Sequence, residues 1–333
     1  MQTPPAQLDG NESGGIELGL AVDERATGAG KGAGDVYLVG FDPSSVFIVA
    51  CTNSSLACSS MVAIDQDDNY NAPFVQVRAD GLITISYMQQ ISGKASQLVE
   101  FVTCTPAGAP KPPVCGKPTT VVTVANVVFL AGPAIDFTAP LGFSYTQHAD
   151  RQESDGTFTT FLVYDDCSNP YTPPPPPNDQ PTYCLGTRVH MTFSTDNGQT
   201  WSKPVTVDNH NGFHVFPTIT NDASTGTVSV VHYSTEGDYF EHEIRVVLNQ
   251  ITPGTTTLGP SQLVTSFTPT DLPPALGFQI IVGYDLYMGA VAHGTGKAGE
   301  SHLYLSFDSE AINGTYNGKP LPELNNHIKL LTF

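Results

Sequence analysis

Short runs in which apolar and polar residues alternate recur along the whole chain of 333 residues. Residues 188–193 and 227–233, for example, have the two-residue period of β-strands, and such runs are separated by Gly, Pro, Asn or Asp. No long stretch keeps the period of an α-helix. The pattern therefore predicts an all-β chain of many short strands joined by turns.

The predicted strands group into repeating units. Residues 51–64 align with residues 194–207 without a gap, and each segment is followed by a polar loop, a strand containing proline, a tight turn and another strand. Units of four strands can be counted at 16–64, 72–124, 127–207, 216–265 and 278–333, with the strands of the last unit expected at 279–282, 286–293, 302–307 and 327–332.

Five units of about fifty residues predict a β-propeller of four-stranded antiparallel blades, with a sixth blade possible. We expect a flexible segment over 1–15 and a single propeller domain over 16–333. A pair of β-sandwiches is the alternative, but it does not explain a turn that recurs at a fixed place in each unit.

The segment 194–201 has the composition of a hairpin turn. Asp196 is placed to accept hydrogen bonds from the backbone of its own turn, and Gly198 supplies a positive φ. Trp201 is the only tryptophan and can fold back over the turn. The pattern S-x-D-x-G-x-T-W, formed by Ser194, Asp196, Gly198, Thr200 and Trp201, resembles the Asp-box, or BNR repeat, of sialidase-like β-propellers. The resemblance implies a structural role for these five residues, because the Asp-box of that family lies on the blade rim, away from the active site.

Six cysteines form three close pairs in the sequence: Cys51 with Cys58, Cys104 with Cys115, and Cys167 with Cys184. Fifteen connectivities are open, and pairing between near neighbours is favoured because each pair brackets a loop between two strand-like runs. A zinc site is the alternative, although the short CxxC spacing is missing. Disulfides indicate an oxidising compartment, so we expect a secreted or cell-surface protein, either extracellular or periplasmic. The third pair would tether a proline-rich insertion over 166–186.

The chain is strongly acidic, with 32 Asp and Glu against 13 Lys and Arg and a formal net charge of −19. Such a surface repels nucleic acid and anionic lipid, so no nucleic-acid partner and no membrane insertion are expected. The resemblance instead implies a carbohydrate or glycoconjugate as partner, with other extracellular proteins as further candidates.

Candidate site residues follow from the strand order. In a propeller, the loops that lead into the first strand of each blade and those that leave the second strand face the mouth of the central funnel. One such loop contains Asp208, His210 and His214. Histidines and carboxylates at one mouth are suited to general acid–base chemistry on a sugar. The residues expected to be catalytic are His214, His232, Tyr233 and Arg151. Those expected to bind substrate are Asp68, Asn71, Asp165, Asp166, Glu236 and His293.

The resemblance to sialidases does not extend to their arginines. A sialidase holds the carboxylate of its substrate with three arginines, the first of them in an F/Y-R-I-P motif that this chain lacks. Arg188 and Arg245 fall in third strands and are expected too far out on the blade. The leading hypothesis is a secreted, carbohydrate-directed propeller without sialidase catalysis. A glycoside hydrolase or polysaccharide lyase acting at the funnel mouth, and a structural component of an extracellular assembly, are the alternatives.

The sequence predicts no cofactor and no metal ligand set, with calcium as one possible exception. Segment 65–69 is rich in oxygen ligands, among them Asp65, Asp67 and Asp68, but it lacks the glycine and the terminal glutamate of an EF-hand loop. A solvated acidic loop is the other reading of this segment.

Overall fold

A computed structural model describes most of the chain: residues 18–26, 28–42, 44–55, 57–66, 70–90, 96–125, 129–130, 145–171, 183–184, 186–236, 243–267, 288–294, 300–316 and 319–333. Over these residues the regular structure is entirely β. Accordingly, the described part of the chain contains no helix of a length and apolarity suited to crossing a membrane. Contacts divide the chain into two compact units, residues 1–93 with 98–122 and residues 94–97 with 123–333.

The first unit is formed by two antiparallel sheets, apart from the first two residues of β7 and the last three of β9. The strands of the first sheet, in order, are β1 (Leu18–Val22), β2 (Asp35–Asp42), β3 (Ser45–Thr52) and β4 (Val62–Asp65). Those of the second are β5 (Tyr70–Val77), β6 (Ile83–Gln90), β7 (Ser96–Thr105) and β8 (Val114–Cys115), with β9 (Thr119–Ala125) also paired to β7. One apolar core joins the two sheets, and it includes Tyr37, Ile48, Ile85 and Val102.

The second unit contains three larger sheets. The first of them is formed by β11 (Thr146–Gln152), β12 (Phe158–Cys167), β15 (Thr187–Ser194) and β16 (Val205–Thr206). Short strands β10 (Phe129–Leu130), β13 (Pro170–Tyr171) and β14 (Tyr183–Cys184) pair in a small sheet of their own. The next sheet consists of β17 (His214–Asn221), β18 (Val228–Ser234), β19 (Ile244–Ile251) and β20 (Gln262–Phe267), and the last of β21 (Met288–Gly294), β22 (Ser301–Tyr316) and β23 (Lys319–Thr332).

Within each unit, neighbouring sheets contact each other through their first strands. Strand β1 lies against β5 in the first unit, and β17 lies against both β11 and β21 in the second. The second strands β6, β12 and β18 are buried at nearly every position. A strand is buried in this way only when both of its faces are covered. This arrangement of face-to-face sheets is the one by which propeller blades pack.

The predicted fold class is therefore confirmed: the chain is all-β, and several of its sheets are four-stranded and antiparallel like propeller blades. The sheets over 18–65, 70–125 and 214–267 agree with the predicted units at 16–64, 72–124 and 216–265, whereas the sheet of the unit predicted at 127–207 begins only at Thr146. In the last unit the structure describes three strands, and the predicted strand at 279–282 lies outside the described residues. Ring closure, blade number and the single domain over 16–333 stay predictions.

Three disulfides join Cys51 to Cys58, Cys104 to Cys115 and Cys167 to Cys184, as predicted. The first two each close the loop between the third and fourth strands of their sheet, where the turn at 194–201 lies in the second unit. The third links the end of β12 to β14 across the proline-rich insertion.

The turn between β15 and β16 makes the internal hydrogen bonds that the sequence predicts. Asp196 accepts hydrogen bonds from the Thr200 backbone N–H at 2.9 Å and the Thr200 hydroxyl at 2.6 Å. The Ser194 hydroxyl donates to Asp196, and the Trp201 indole donates to the Gly198 carbonyl at 3.1 Å. Gly198 has a φ of 79°, which favours glycine. These bonds hold the pKa of Asp196 at about 2, chiefly through Thr200.

Candidate functional site

A buried group of three ionisable side chains lies where the sheet of β11–β16 meets the sheet of β17–β20. Asp208 lies on the loop that leaves β16, His214 is the first residue of β17, and His232 lies near the end of β18. Because β17 and β18 are antiparallel, the start of one and the end of the other meet at the same edge. We call this edge of the second unit the histidine end.

The three side chains point at a common centre. The distance from Asp208 Oδ2 is 3.7 Å both to His214 Nδ1 and to His232 Nε2, and the two ring nitrogens are 3.5 Å apart. Both histidines are fully buried and Asp208 is 3% exposed. Hydrogen bonds between such groups are normally 2.7–3.2 Å long, so these atoms face one another at the outer limit of that interaction or beyond it.

His210 holds two members of this group. Its backbone N–H and its ring Nδ1 lie 2.9 and 2.6 Å from Asp208 Oδ1. Its backbone carbonyl accepts a hydrogen bond from His214 Nε2 at 2.8 Å. The proton of His214 is thereby placed on Nε2, and its Nδ1 presents a lone pair to the centre. His232 Nδ1, by contrast, is buried and has no hydrogen-bond partner among the described residues.

The backbone around the group is also constrained. The Thr187 hydroxyl, at the start of β15, accepts the His214 N–H and donates to the His214 carbonyl, each at 2.8 Å. Phe216 and Glu236 have φ values of 54° and 43°, which bulky L-residues rarely adopt. Pro217 cannot donate to the sheet, and the register of β17 shifts between Val215 and Thr218. Such strain is concentrated at functional sites more often than elsewhere.

The surroundings of the group set its protonation at neutral pH. Burial opposes the charge on Asp208, but its interaction with the His232 ring at 3.7 Å and the hydrogen bond from the His210 backbone outweigh it and hold the pKa of Asp208 well below its usual range. Burial, together with the neighbouring His232, lowers the pKa of His214 to about 4. Asp208 is therefore an anion and His214 a neutral imidazole at pH 7.

The histidine end also has a charged, accessible rim. The His210 side chain is 57% exposed, and its Nδ1 lies 3.6 Å from Glu236 Oε1. Glu236 forms an ion pair with Arg245, the second residue of β19. Arg188, the second residue of β15, donates to the Gly212 carbonyl at 3.1 Å. A buried polar group thus lies beneath a rim that carries both signs of charge.

Several predicted site residues come together here, and several do not. His214 and His232 are members of the buried group, and Glu236 lies on its rim. Tyr233 points to the other face of β18, since successive residues of a strand face opposite sides, and it packs against Phe216 in an apolar core.

Arg151 and His293 lie at the opposite edge of the second unit. Arg151 is near the end of β11, where it pairs with Glu153 and donates to the carbonyls of Thr252 and Thr255. His293 is near the end of β21, and its neighbour Ala292 contacts Thr220 at the far end of β17. The segment 286–293 was expected to be a second strand ending at the mouth, whereas β21 packs directly against the first strand β17.

Asp165 is buried rather than facing a ligand. Its two oxygens accept hydrogen bonds from the backbone N–H groups of Tyr145 at 2.7 Å and Phe216 at 3.3 Å. Asp166 is half-buried and lies across from Arg188 in the pairing of β12 with β15. The side chains of Asp68 and Asn71 lie outside the described residues, as does most of the proposed calcium segment. Within that segment, Asp65 accepts a hydrogen bond from the Tyr87 hydroxyl at 2.9 Å.

The two arginines of the rim were not predicted from the sequence. Arg188 and Arg245 were expected too far out on the blade because both belong to third strands. Third strands, however, begin at the edge where second strands end, and each arginine is the second residue of its strand. Counting positions from the start of each strand would have placed both arginines at the histidine end.

The fold and this site define the class of the chain as an all-β protein of antiparallel blades with a histidine–aspartate group at one edge. No family model matches the chain, and no curated protein matches it. Solved structures similar to it include an N-acetylgalactosamine deacetylase from F. plautii in complex with blood group B trisaccharide. That structure has 10% identity and a TM-score of 0.46, with 94% of this chain and 89% of that chain covered.

Two further similar structures are AofleA from Arthrobotrys oligospora and an endo-arabinase from Bacteroides thetaiotaomicron. AofleA has 10% identity and a TM-score of 0.46, with 96% of this chain and 75% of that chain covered. The endo-arabinase has 10% identity and a TM-score of 0.40, with 89% and 90% covered. At these identities and TM-scores the similarity says nothing about the ligand or activity of this chain.

Proposed function

We propose that this chain is a secreted, carbohydrate-directed β-propeller protein of the sialidase-like, Asp-box type, and that it engages its glycan at the histidine end. The observation that carries the proposal is the meeting of His210, Asp208 and Glu236 at one accessible edge. Three disulfides support an oxidising, extracellular setting. The hydrogen-bonded turn at 194–201 supports the Asp-box assignment.

The rim suits a polar, neutral or mixed-charge ligand such as a sugar. Sugar hydroxyls both donate and accept hydrogen bonds, and the rim offers the His210 ring, the Glu236 carboxylate and the Arg245 guanidinium close together. Sialidase catalysis is not part of the proposal. Of the arginines in the second unit, only Arg188 and Arg245 lie at this edge, whereas carboxylate recognition of the sialidase kind uses three.

A specific observation favours an enzyme, either a glycoside hydrolase or a polysaccharide lyase, over a binding module. The His210 ring is exposed while its Nδ1 is held by the buried Asp208 carboxylate at 2.6 Å. A carboxylate in this position fixes the tautomer, so that Nε2 is free to take a proton from a sugar or a bound water and later return it. His210 therefore takes the general acid–base role in this version of the proposal, and Glu236 is placed to contact the sugar.

A glycan array together with a polysaccharide panel tests the proposal. Turnover is followed by new reducing ends and by the absorbance of unsaturated uronate products, which separates a hydrolase from a lyase. We expect binding to at least one glycan class, and turnover that falls at least about 100-fold in His210→Ala. His302→Ala, which removes a histidine from β22, serves as the matched control and keeps the wild-type rate.

The outcomes separate the functional alternatives. Binding without turnover supports a carbohydrate-binding module and removes the acid–base role of His210. If the chain neither binds nor turns over any glycan, the proposal is overturned. That result favours the third hypothesis, a structural component of an extracellular assembly.

A further inference from the structure

We propose that Asp208, His214 and His232 bind one divalent transition-metal ion, with Zn²⁺ as the preferred ion. The ligand atoms are Asp208 Oδ2, His214 Nδ1 and His232 Nε2. This inference rests on the geometry of the buried group and does not depend on the carbohydrate proposal.

The spacing of the three atoms fits a first-row metal. Three points separated by 3.5, 3.7 and 3.7 Å share a centre that lies about 2.1 Å from each of them. Zinc lies about 2.0–2.1 Å from histidine nitrogen and about 2.0–2.2 Å from carboxylate oxygen. Calcium is excluded as the preferred ion, because it takes six to eight oxygen ligands at about 2.3–2.6 Å, and two of the three donors here are nitrogens.

The same spacing indicates that the three side chains are not held together by hydrogen bonds to one another. A histidine that donated to Asp208 or to the other histidine would approach to about 2.7–3.2 Å. The observed separations are longer in all three directions, although every ring and the carboxylate are oriented toward the centre. The lone pair of His214 Nδ1 and the anionic Asp208 Oδ2 lie 3.7 Å apart and repel each other unless a positive charge lies between them.

Contacts outside the triangle orient two of the three ligands, His214 and Asp208, as metal sites require. Metal-binding histidines usually donate the other ring N–H to a carbonyl or carboxylate, and His214 does so to the His210 carbonyl at 2.8 Å. Asp208 uses Oδ1 to accept both hydrogen bonds from His210, which leaves Oδ2 for the metal. No contact of the described residues holds His232 in a tautomer that would block Nε2.

The donor set also indicates which metals compete. Two imidazoles and one carboxylate form a borderline site that suits Zn²⁺ and also accepts Co²⁺, Ni²⁺ and Cu²⁺. If the three atoms draw together to about 3.4 Å, the spacing in a tetrahedron with bonds of about 2.1 Å, a fourth position is left for a water molecule or a substrate oxygen. His210 is the exposed residue in contact with the group, so the open position is expected on its side.

Isothermal titration of ZnCl₂ into the untagged full chain, after dialysis against a chelator, tests the inference. The tag must be absent because polyhistidine binds zinc itself. We expect one equivalent of Zn²⁺ to bind, with CaCl₂ giving no heat at this site. Asp208→Asn and His232→Gln each weaken zinc binding at least about 100-fold. Asp222→Asn, which alters a buried aspartate at the opposite edge of the same sheet, leaves zinc binding unchanged.

Two further measurements support the titration: the Co²⁺ spectrum of the wild type reports the coordination of the metal, and circular dichroism reports whether the variants fold. Co²⁺ added to the wild-type chain should give the intense visible absorption of a four-coordinate site, and an equivalent of Zn²⁺ should abolish it. Far-ultraviolet circular dichroism of the metal-free variants should match that of the wild type. The inference is overturned if the wild type binds no zinc, if it prefers calcium, if Co²⁺ gives only the weak six-coordinate spectrum, or if folded Asp208→Asn binds zinc as tightly as the wild type.

Discussion

The Nδ1 atom of His210 lies 2.6 Å from Oδ1 of Asp208, so that an exposed imidazole is held by a carboxylate that is almost fully buried. His210 faces the solvent at the histidine end, while Asp208 faces His214 and His232. This contact connects the accessible rim, where we place the glycan, to the buried group, where we place the metal.

The first prediction concerns the ring of His210. Replacing it in His210→Gln removes the hydrogen bond to Asp208 Oδ1 but leaves the backbone contacts of residue 210 in place. Because such contacts orient a ligand and set its basicity, we expect zinc affinity to fall about 10- to 100-fold while the stoichiometry stays at one. Titration calorimetry measures both quantities. An affinity equal to that of the wild type would show that the ring does not position Asp208, and His302→Gln is the matched control.

The second prediction concerns the pH dependence of stability through Asp165. Burial raises the pKa of this carboxyl to about 7, even though two backbone N–H groups donate to it. An unfolded chain loses the proton near pH 4, so between about pH 4 and 7 the folded state binds more protons than the unfolded state. The free energy of unfolding should therefore decrease as pH rises across this range, by on the order of 4 kcal/mol, and level off above it.

Denaturant unfolding of the wild type and Asp165→Asn at several pH values measures this effect. The variant loses a hydrogen-bond acceptor and is expected to be less stable at pH 5, but the decrease between pH 4 and 7 should be absent from it. If both proteins show the same dependence on pH, the titration belongs to another group.

The third prediction concerns the turn between β15 and β16. Asp196→Ala removes the acceptor of three hydrogen bonds, two from Thr200 and one from Ser194, and should lower the free energy of unfolding by about 1–2 kcal/mol. The low pKa of Asp196 means that its contribution is present above about pH 4 and is lost as pH falls through about 2. Thr195→Ala, one residue away and exposed, is the control and should change stability little. Zinc binding should be unaffected by either variant.

The features that the sequence predicts well are local ones. The turn at 194–201 and the three disulfides depend on residues close together in the chain, and alternating patterns locate the strands around them. The group of Asp208, His214 and His232 depends instead on which strand ends meet. The sequence placed His214 and His232 among the residues expected to be catalytic, but the role of Asp208 as their third member needed coordinates.

Errors in the predicted site have the same physical origin. His293 was assigned to the end of a second strand, whereas β21 packs against the first strand β17. Tyr233 was assigned together with His232, although adjacent strand residues face opposite sides. Arg188 and Arg245 were set aside by strand number, whereas their distance from the strand start decides which edge they occupy. Direction and register along a strand, which composition does not encode, therefore limit how far the sequence alone can locate a site.

The most direct test of the zinc site is anomalous X-ray diffraction at the zinc absorption edge, from crystals of the untagged chain grown with one equivalent of Zn²⁺. We expect a single anomalous peak in the second unit, about 2.1 Å from Asp208 Oδ2, His214 Nδ1 and His232 Nε2. A difference map without a peak between these three atoms, or with the zinc bound at other residues, would contradict it.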